Sequence, residues 1–479
     1  PSLWFEMQLS TPTFSAYGAT FPGAPSVIIG FNENTAFGFT NGGRDVRDYY
    51  EIKFKDETRK EYWFNNEWKK TAFRVEKIKI KDTVMYLDTV AYTVFGPVMY
   101  DKNFNGGRAS ANKNYAVRWK AHDASNDMKI FNLLNHAKNF ADYLSAVTNL
   151  HTPGQNCVFA CKDGDIALRT QGEFPAKWKG QGDFVMPGTD SSYMWQGMIP
   201  QDETPFQYNP ERGFVSSANQ KPADSIYPYY LGRDYPPYRG IYINRRLTEM
   251  NGISVNDMMA LQTDNYDVFA ETAMPIFLKN MKEDALTPDE RKYYDMLKSW
   301  NLKADVTSTG ATVFNVLWKK FDSTVFSDEY AKAPKVIMRP FASTLVEGVL
   351  KDSAYKFIDN ITTPEIETLA DEVTAAFKKA TVELKDAERR KKLEWAKYKD
   401  THVSHLTKLE PFSSLHLPIG GGRYCVNATR DDHGPSWRMI VKLAAQTEAY
   451  GIYPGGQSGN PGSKYYDDYV KWTMSFSKS

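Results

Sequence analysis

The residues able to do chemistry are scattered along this chain, and the common self-contained arrangements are missing. There is no Gly-x-Ser-x-Gly turn to lift a nucleophilic serine, no GxxxxGK[ST] loop, no HExxH pair and no GxGxxG turn. None of the seven histidines is paired in sequence with a Ser or Cys nucleophile. His402 and His405 are three apart in a stretch that reads as helical, with Glu410 beyond. A metal can sit on such a pair, but His pairs at this spacing commonly arise by accident. Two short segments are more suggestive. In Thr40-Asn41-Gly42-Gly43 the paired glycines after a strand free the backbone for a tight turn. The Asn41 N–H can then point outward, where it could stabilise a developing oxyanion. In Asp45-Val46-Arg47-Asp48 two carboxylates lie three apart with a backbone carbonyl between them. They can wrap a hard cation such as Ca²⁺, or simply form a solvated turn.

The elements that must position these groups fall into three stretches. The first third reads as antiparallel β: Leu3, Phe5, Met7 and Leu9 alternate, and Ser26–Gly30 and Thr35–Thr40 flank a turn. Val75–Ile80 and Val84–Val98 continue the pattern, with Asn65-Asn66 as a further turn. Asn126–Leu150 has helical spacing, and strand signals return at Cys157–Arg169. Cys157 and Cys161 share a strand face, which suits two packed sulfurs rather than a disulfide or zinc site. After a Gly/Pro/Tyr-rich stretch to about residue 240, the chain turns helical. Ser254 with Asp257 marks one start and Pro288 a second. Thr363-Pro364-Glu365 is expected to open the longest helix, with Ile366, Leu369, Val373, Phe377, Ala380 and Leu384 on one stripe. The charge run Lys378–Lys399 reads as its solvated face. Strands return at Tyr424–Ala428, Trp437–Leu443 and Ala449–Tyr453.

Composition narrows the function. Lys+Arg total 59 against 58 Asp+Glu, so the basic excess that nucleic-acid binding or a polybasic membrane anchor needs is missing. Mean hydropathy is −0.54, and no apolar run is long enough to span a bilayer. The 29 Tyr, 28 Phe and 11 Trp suit strands and a large core. The chain opens inside a strand, with no initiator Met and no basic-then-apolar leader, and is expected to be a processed or truncated product.

Five segments, taken together and in order, carry a resemblance. They are FPGAPSVIIGFNENTAFGFTNGGRDVRDYYE (21–51), GFVSSANQKP (213–222), YPPYRGIYINRRL (235–247), HGPSWRMI (433–440) and GIYPGGQSGNPGSKYYDDYVKW (451–472). The sequence resembles the penicillin amidase family of N-terminal-nucleophile hydrolases, which includes penicillin, cephalosporin and acyl-homoserine-lactone acylases. The resemblance runs from PSLWFEMQL to YDDYVKW.

It implies an α+β, four-layer αββα fold, with residues 1–250 and 411–479 as the hydrolase core and 251–410 as an inserted, mainly helical lobe. It implies a small α chain cut from the same precursor as partner and a small N-acyl substrate. No organic cofactor is expected, and the periplasm or the cell exterior is the expected location. The attacking serine, first residue of the family's β chain, is expected upstream of Pro1, with its own α-amine as the base. The oxyanion donors fall on the Asn41 backbone N–H and the Asn219 side-chain amide, and Arg239 orients them. Ile29 and Phe131 fall where family members line the acyl pocket, although both also suit ordinary core. Asp45, Asp48 and the Arg47 carbonyl fall on structural calcium ligands. A further Asp ligand lacks a clean counterpart, for which Asp224 could substitute. The competing reading is a non-catalytic scaffold, for example one that binds carbohydrate through exposed Tyr and Trp. The retained Asn41, Asn219 and Arg239 speak against it.

Overall fold

The computed structural model describes residues 3–102, 104, 113–232, 235–333 and 339–470. The chain forms two compact units, one of Pro1–Ala36 with Pro236–Ser479 and one of Phe37–Tyr235. The described residues of 251–410 fall in the first of these units.

In the Phe37–Tyr235 unit, the strand ending at Asn41 neighbours Gln155–Cys161, followed by Ile166–Gln171 and Phe206–Tyr208. A six-stranded sheet runs in the order Met186–Pro187, Arg47–Glu51, Tyr115–Trp119, Gly96–Tyr100, Tyr86–Thr93 and Ala72–Ile78. Alternation along Arg47–Glu51 buries Asp48 and Tyr50 on one face. Tyr50 stacks on Phe95 with ring centroids 4.2 Å apart, at the centre of a core that includes Ile52, Phe64 and Ala116. The Asn65-Asn66 turn behaves as read: both residues take positive φ, 48° and 64°, and close the hairpin of Glu61–Phe64 and Glu67–Lys70.

The helix expected over Asn126–Leu150 is two helices, Lys129–His136 and Phe140–Val147. Ala137 leaves the helical conformation, and the Asn139 side chain accepts the Asp142 N–H at 3.0 Å, which starts the second helix. The second helix buries Tyr143, whose ring stacks on Phe159 at 4.5 Å and whose hydroxyl donates to the Cys157 carbonyl at 2.8 Å. Cys157 and Cys161 are both buried, as their shared strand face requires.

In the other unit, Phe5–Ser10, Ser15–Thr20 and Ile29–Asn32 run antiparallel. The turn after Ile29–Asn32 is held by the Asn32 carboxamide oxygen, which accepts the Asn34 and Thr35 N–H groups, each at 2.8 Å. The helices bury a continuous apolar cluster from Tyr238 to Leu393. Ser254 with Asp257 and Thr287 with Glu290 form capping boxes, the second with Pro288 in the first turn. The longest helix, Leu369–Arg389, starts later than expected. A capping box between Thr368 and Asp371 sets its start, and Ile366 lies outside the stripe, 83% exposed.

The stretch with His402 and His405 is not helical. The helix Trp395–Lys399 ends at Asp400, which is left-handed (φ 57°), and Thr401–Val403 is a strand. Tyr424–Ala428 is a set of tight turns rather than a strand. The Cys425 N–H bonds Gly422 O, and the Asn427 N–H bonds Asp264 O. Arg438–Lys442 and Glu448–Ile452 pair as an antiparallel hairpin.

Candidate active site

The strand Thr35–Asn41 ends against the backbone of Gly154. The Gly42 N–H donates to Gly154 O at 2.9 Å, and a Cβ on Gly42 would lie 2.9 Å from that oxygen, so only glycine passes there without displacement. Gly43 follows at φ 61°. The turn inferred from the two glycines therefore exists, and it leaves the Asn41 side chain exposed.

Around Asn41 the chain gathers neutral amides and hydroxyls. Asn219 Nδ2 donates to Asn41 O at 3.0 Å, and Asn156 Nδ2 reaches the same oxygen at 3.4 Å. Gln155 Nε2 donates to Asn41 Oδ1 at 3.4 Å. Asn156 is buried and fixed by the Thr170 hydroxyl, 2.7 Å from its Oδ1, and its amide also meets Thr40 Oγ1 at 3.2 Å. Thr40 Oγ1 and Ser217 Oγ are 2.5 Å apart, and Ser217 Oγ accepts the Asn219 N–H at 3.3 Å. Asn219 itself takes φ 71°, a left-handed conformation that Asn tolerates better than most residues. Its loop is braced by Gln220, which accepts from Ala218 N at 2.6 Å and donates to Ser216 O at 3.2 Å. None of these groups titrates near neutrality, so their dipoles keep one orientation across working pH.

Phe131, on the helix Lys129–His136, is half-buried and meets Phe39 edge-on at 5.6 Å. Phe39 and Asn41 are two residues apart on one strand and share a face, so Phe131 packs on the face that carries the Asn41 side chain. Ile29 and Arg239 belong to the other unit. Ile29 is half-buried opposite Ala19, and Arg239 is half-buried in the first turn of the helix Tyr238–Glu249.

The carboxylates expected to hold calcium already face a cation. Lys177 Nζ lies 2.9 Å from Asp45 Oδ2 and 2.8 Å from Asp48 Oδ1. Trp195 Nε1 donates to Asp48 Oδ2 at 2.5 Å. Burial pushes the Asp48 carboxyl up, while the Lys177 charge and the hydrogen bonds from Lys177 and Trp195 pull it down. Arg47 turns its guanidinium over the rings of Tyr49 and Trp119, and Asp224 accepts the nearby Ile226 N–H at 3.1 Å. As arranged, the set does not fit a divalent ion, because an ammonium stands between the two carboxylates. Among the described residues no group of three or more His, Cys, Asp or Glu side chains is placed to hold a metal. His405 Nδ1 instead pairs with Thr407 Oγ1 at 2.9 Å.

Thr40 and Ser217 lie in segments noted in the sequence but were given no role there, and Asn156, Lys177 and Trp195 were not singled out. Asn156 had a usable signal, a polar residue at the start of the strand Gln155–Cys161 next to its apolar run. In the other unit, an open cavity of about 410 Å³ is lined by His402, Asp432, His433, Ser436, Arg438 and Tyr453 among others, with the GPSWRM segment on its wall.

The fold is that of a thermostable penicillin G acylase from Alcaligenes faecalis, with a TM-score of 0.75 at 18% identity over 99% of this chain and 90% of that one. It is therefore the α+β fold of the N-terminal-nucleophile hydrolases, as expected from the sequence motifs. The chain belongs to the penicillin amidase family, whose profile matches residues 1–475. It is 24% identical to an acyl-homoserine lactone acylase, QuiP, of Pseudomonas syringae pv. tomato, over 98% of this chain and 61% of that protein. It is 23% identical to the penicillin acylase 2 proenzyme of Pseudomonas sp. (strain SE83), over 72% of this chain and 43% of that protein. The chain thus spans about three fifths of the length of the first of these relatives.

Proposed function

We propose that the complete protein is an acylase that hydrolyses the amide bond of a small N-acyl substrate. The carrying observation is the Asn219 carboxamide set 3.0 Å from the Asn41 backbone carbonyl, in a network of neutral donors. In this reading a serine preceding Pro1 in the precursor becomes the first residue of a mature chain. Its hydroxyl attacks the substrate carbonyl, and its α-amine, with a pKa of about 7.7–8.0, takes the proton. The Asn41 N–H and Asn219 Nδ2 hold the oxyanion. The amine then departs with the proton, and water releases the acyl group by the same route. Phe131 lines the acyl pocket, a reading supported by its packing on Phe39.

Family membership and the named activities of the relatives support a substrate of the β-lactam or acyl-homoserine-lactone kind. A small chain from the same precursor is the proposed partner, and the periplasm or cell exterior the proposed location. Among the described residues, no helix is long and apolar enough to cross a membrane.

The test is Asn219→Ala in the complete protein. Loss of one oxyanion donor lowers kcat by about 100- to 1000-fold while the melting temperature and circular dichroism stay near those of the parent. Undiminished turnover would sink the assignment.

A further inference from the structure

The strand Arg47–Glu51 carries a carboxylate, Asp48, on its interior face, and Asp45 stands at the approach to that strand. Lys177 and Asp48 side chains are 1% and 0% exposed, and that of Asp45 is 23% exposed. A carboxylate sealed from water needs a cation or donors, and here both come from the chain itself. The ammonium donates to Asp48 Oδ1 at 2.8 Å and forms an ion pair with Asp45 Oδ2 at 2.9 Å, and Trp195 Nε1 donates to the second Asp48 oxygen. Lys177 Nζ also lies 5.7 Å from the centre of the Trp195 ring, whose other neighbour, the Arg118 guanidinium, is 4.5 Å from that centre. Gly182 completes the enclosure: a Cβ there would sit 2.0 Å from Asp48 Oδ1 and 3.1 Å from Lys177 Nζ. A side chain at residue 182 would therefore collide with the ion pair.

We propose that the Lys177 ammonium is a resident cation that takes the place of a divalent ion, so that this loop is closed without calcium. The inference concerns the ion and not the reaction, and it stands whether or not the complete protein is an acylase. Calcium requires six to eight oxygens at about 2.3–2.6 Å, and an ammonium between the two carboxylates both repels it and occupies its ligands. The tethered charge cannot be lost to a chelator, so the loop leaving Asn41 is held at any calcium concentration. Lys177 is a positioning residue acting through Asp45 and Asp48.

The proposal is tested in the complete protein with Tb³⁺ as a calcium probe, excited through tryptophan. The wild type gives no terbium emission that depends on Trp195, and its Tm is the same in EDTA and in millimolar CaCl₂. Lys177→Ala lowers Tm in EDTA, frees both carboxylates, regains Tm with calcium, and shows terbium emission that Trp195→Phe removes. Calcium-displaceable, Trp195-dependent emission from the wild type, or a fall in wild-type Tm on chelation that Asp48→Asn abolishes, would overturn it. Both of these readings use the wild type, so the proposal stays falsifiable if Lys177→Ala does not fold.

Discussion

Gly182 holds φ 88° directly beneath the Asp48 carboxylate, so two separate costs meet at one residue. Gly182→Ala strains the backbone and displaces a buried ion pair, and is expected to destabilise by about 2–4 kcal/mol in urea unfolding. Gly213, at φ 73° with open space around it, is the control: Gly213→Ala is expected to cost only about 1 kcal/mol. Lys399 gives a pH signature. Its ammonium reaches Gly420 O, Gly421 O and Thr429 Oγ1 at 2.8, 3.2 and 2.5 Å, and burial pulls its pKa down to about 7. Between that value and the ordinary lysine value near 10.5, the unfolded chain binds the extra proton, so this group makes stability rise with pH across the window. Unfolding titrations from pH 7 to 9 should show a steeper rise in the wild type than in Lys399→Met; equal slopes would contradict the assignment. At this scale the sequence was partly legible. The tight turn after Asn41 was legible in its two glycines, whereas Asn219 had no local signal and was singled out through the resemblance alone. Lys177 was invisible because its partners lie more than a hundred residues earlier, and one lysine of the PAKWKG segment looks like another until the fold buries it.

The helical elements were legible where caps and apolar periodicity agreed, as at Ser254 and Pro288, and misread where periodicity ran on past a break. Asn126–Leu150 kept a helical rhythm through Ala137-Lys138-Asn139, yet the Asn139 cap restarts the helix and brings Tyr143 under Phe159. Asn139→Ala is expected to cost about 1 kcal/mol, read from the unfolding midpoint. The same logic moved the start of the longest helix from Thr363 to Leu369, because the Thr368–Asp371 box satisfies the first amides there. His402 and His405 looked helical because the apolar spacing of Trp395–Lys399 extends into them. The left-handed Asp400 ends that helix before either histidine.

For the molecule as a whole, the end-to-end span of the motifs has a physical cause within one unit. Gln457, from the PGGQSG segment, accepts the Glu6 N–H at 3.0 Å and donates to Glu6 O at 2.6 Å, so a side chain does the work of a neighbouring strand. Tyr469 donates to Glu6 Oε2 at 2.9 Å, and Trp4 donates to Ser436 Oγ of GPSWRM at 3.0 Å while stacking on Phe21. Segments that are unremarkable alone are thus parts of one joint between the two ends of the chain, which no local reading could show. The hairpin of Ala72–Ile78 and Tyr86–Thr93 exposes Phe73, Val75, Ile78, Tyr86 and Leu87. An exposed apolar face of this kind is expected to bind a hydrophobic dye. The central claim, acyl transfer through an N-terminal nucleophile served by Asn41 and Asn219, is tested most directly by mass spectrometry. The complete protein, quenched in acid during turnover of an N-acyl substrate, should carry the acyl mass on the peptide that precedes Pro1, and Asn219→Ala should not accumulate it. An acyl adduct on a residue within 1–479, or a folded, processed protein that neither carries the adduct nor releases amine from any N-acyl substrate, would contradict the account.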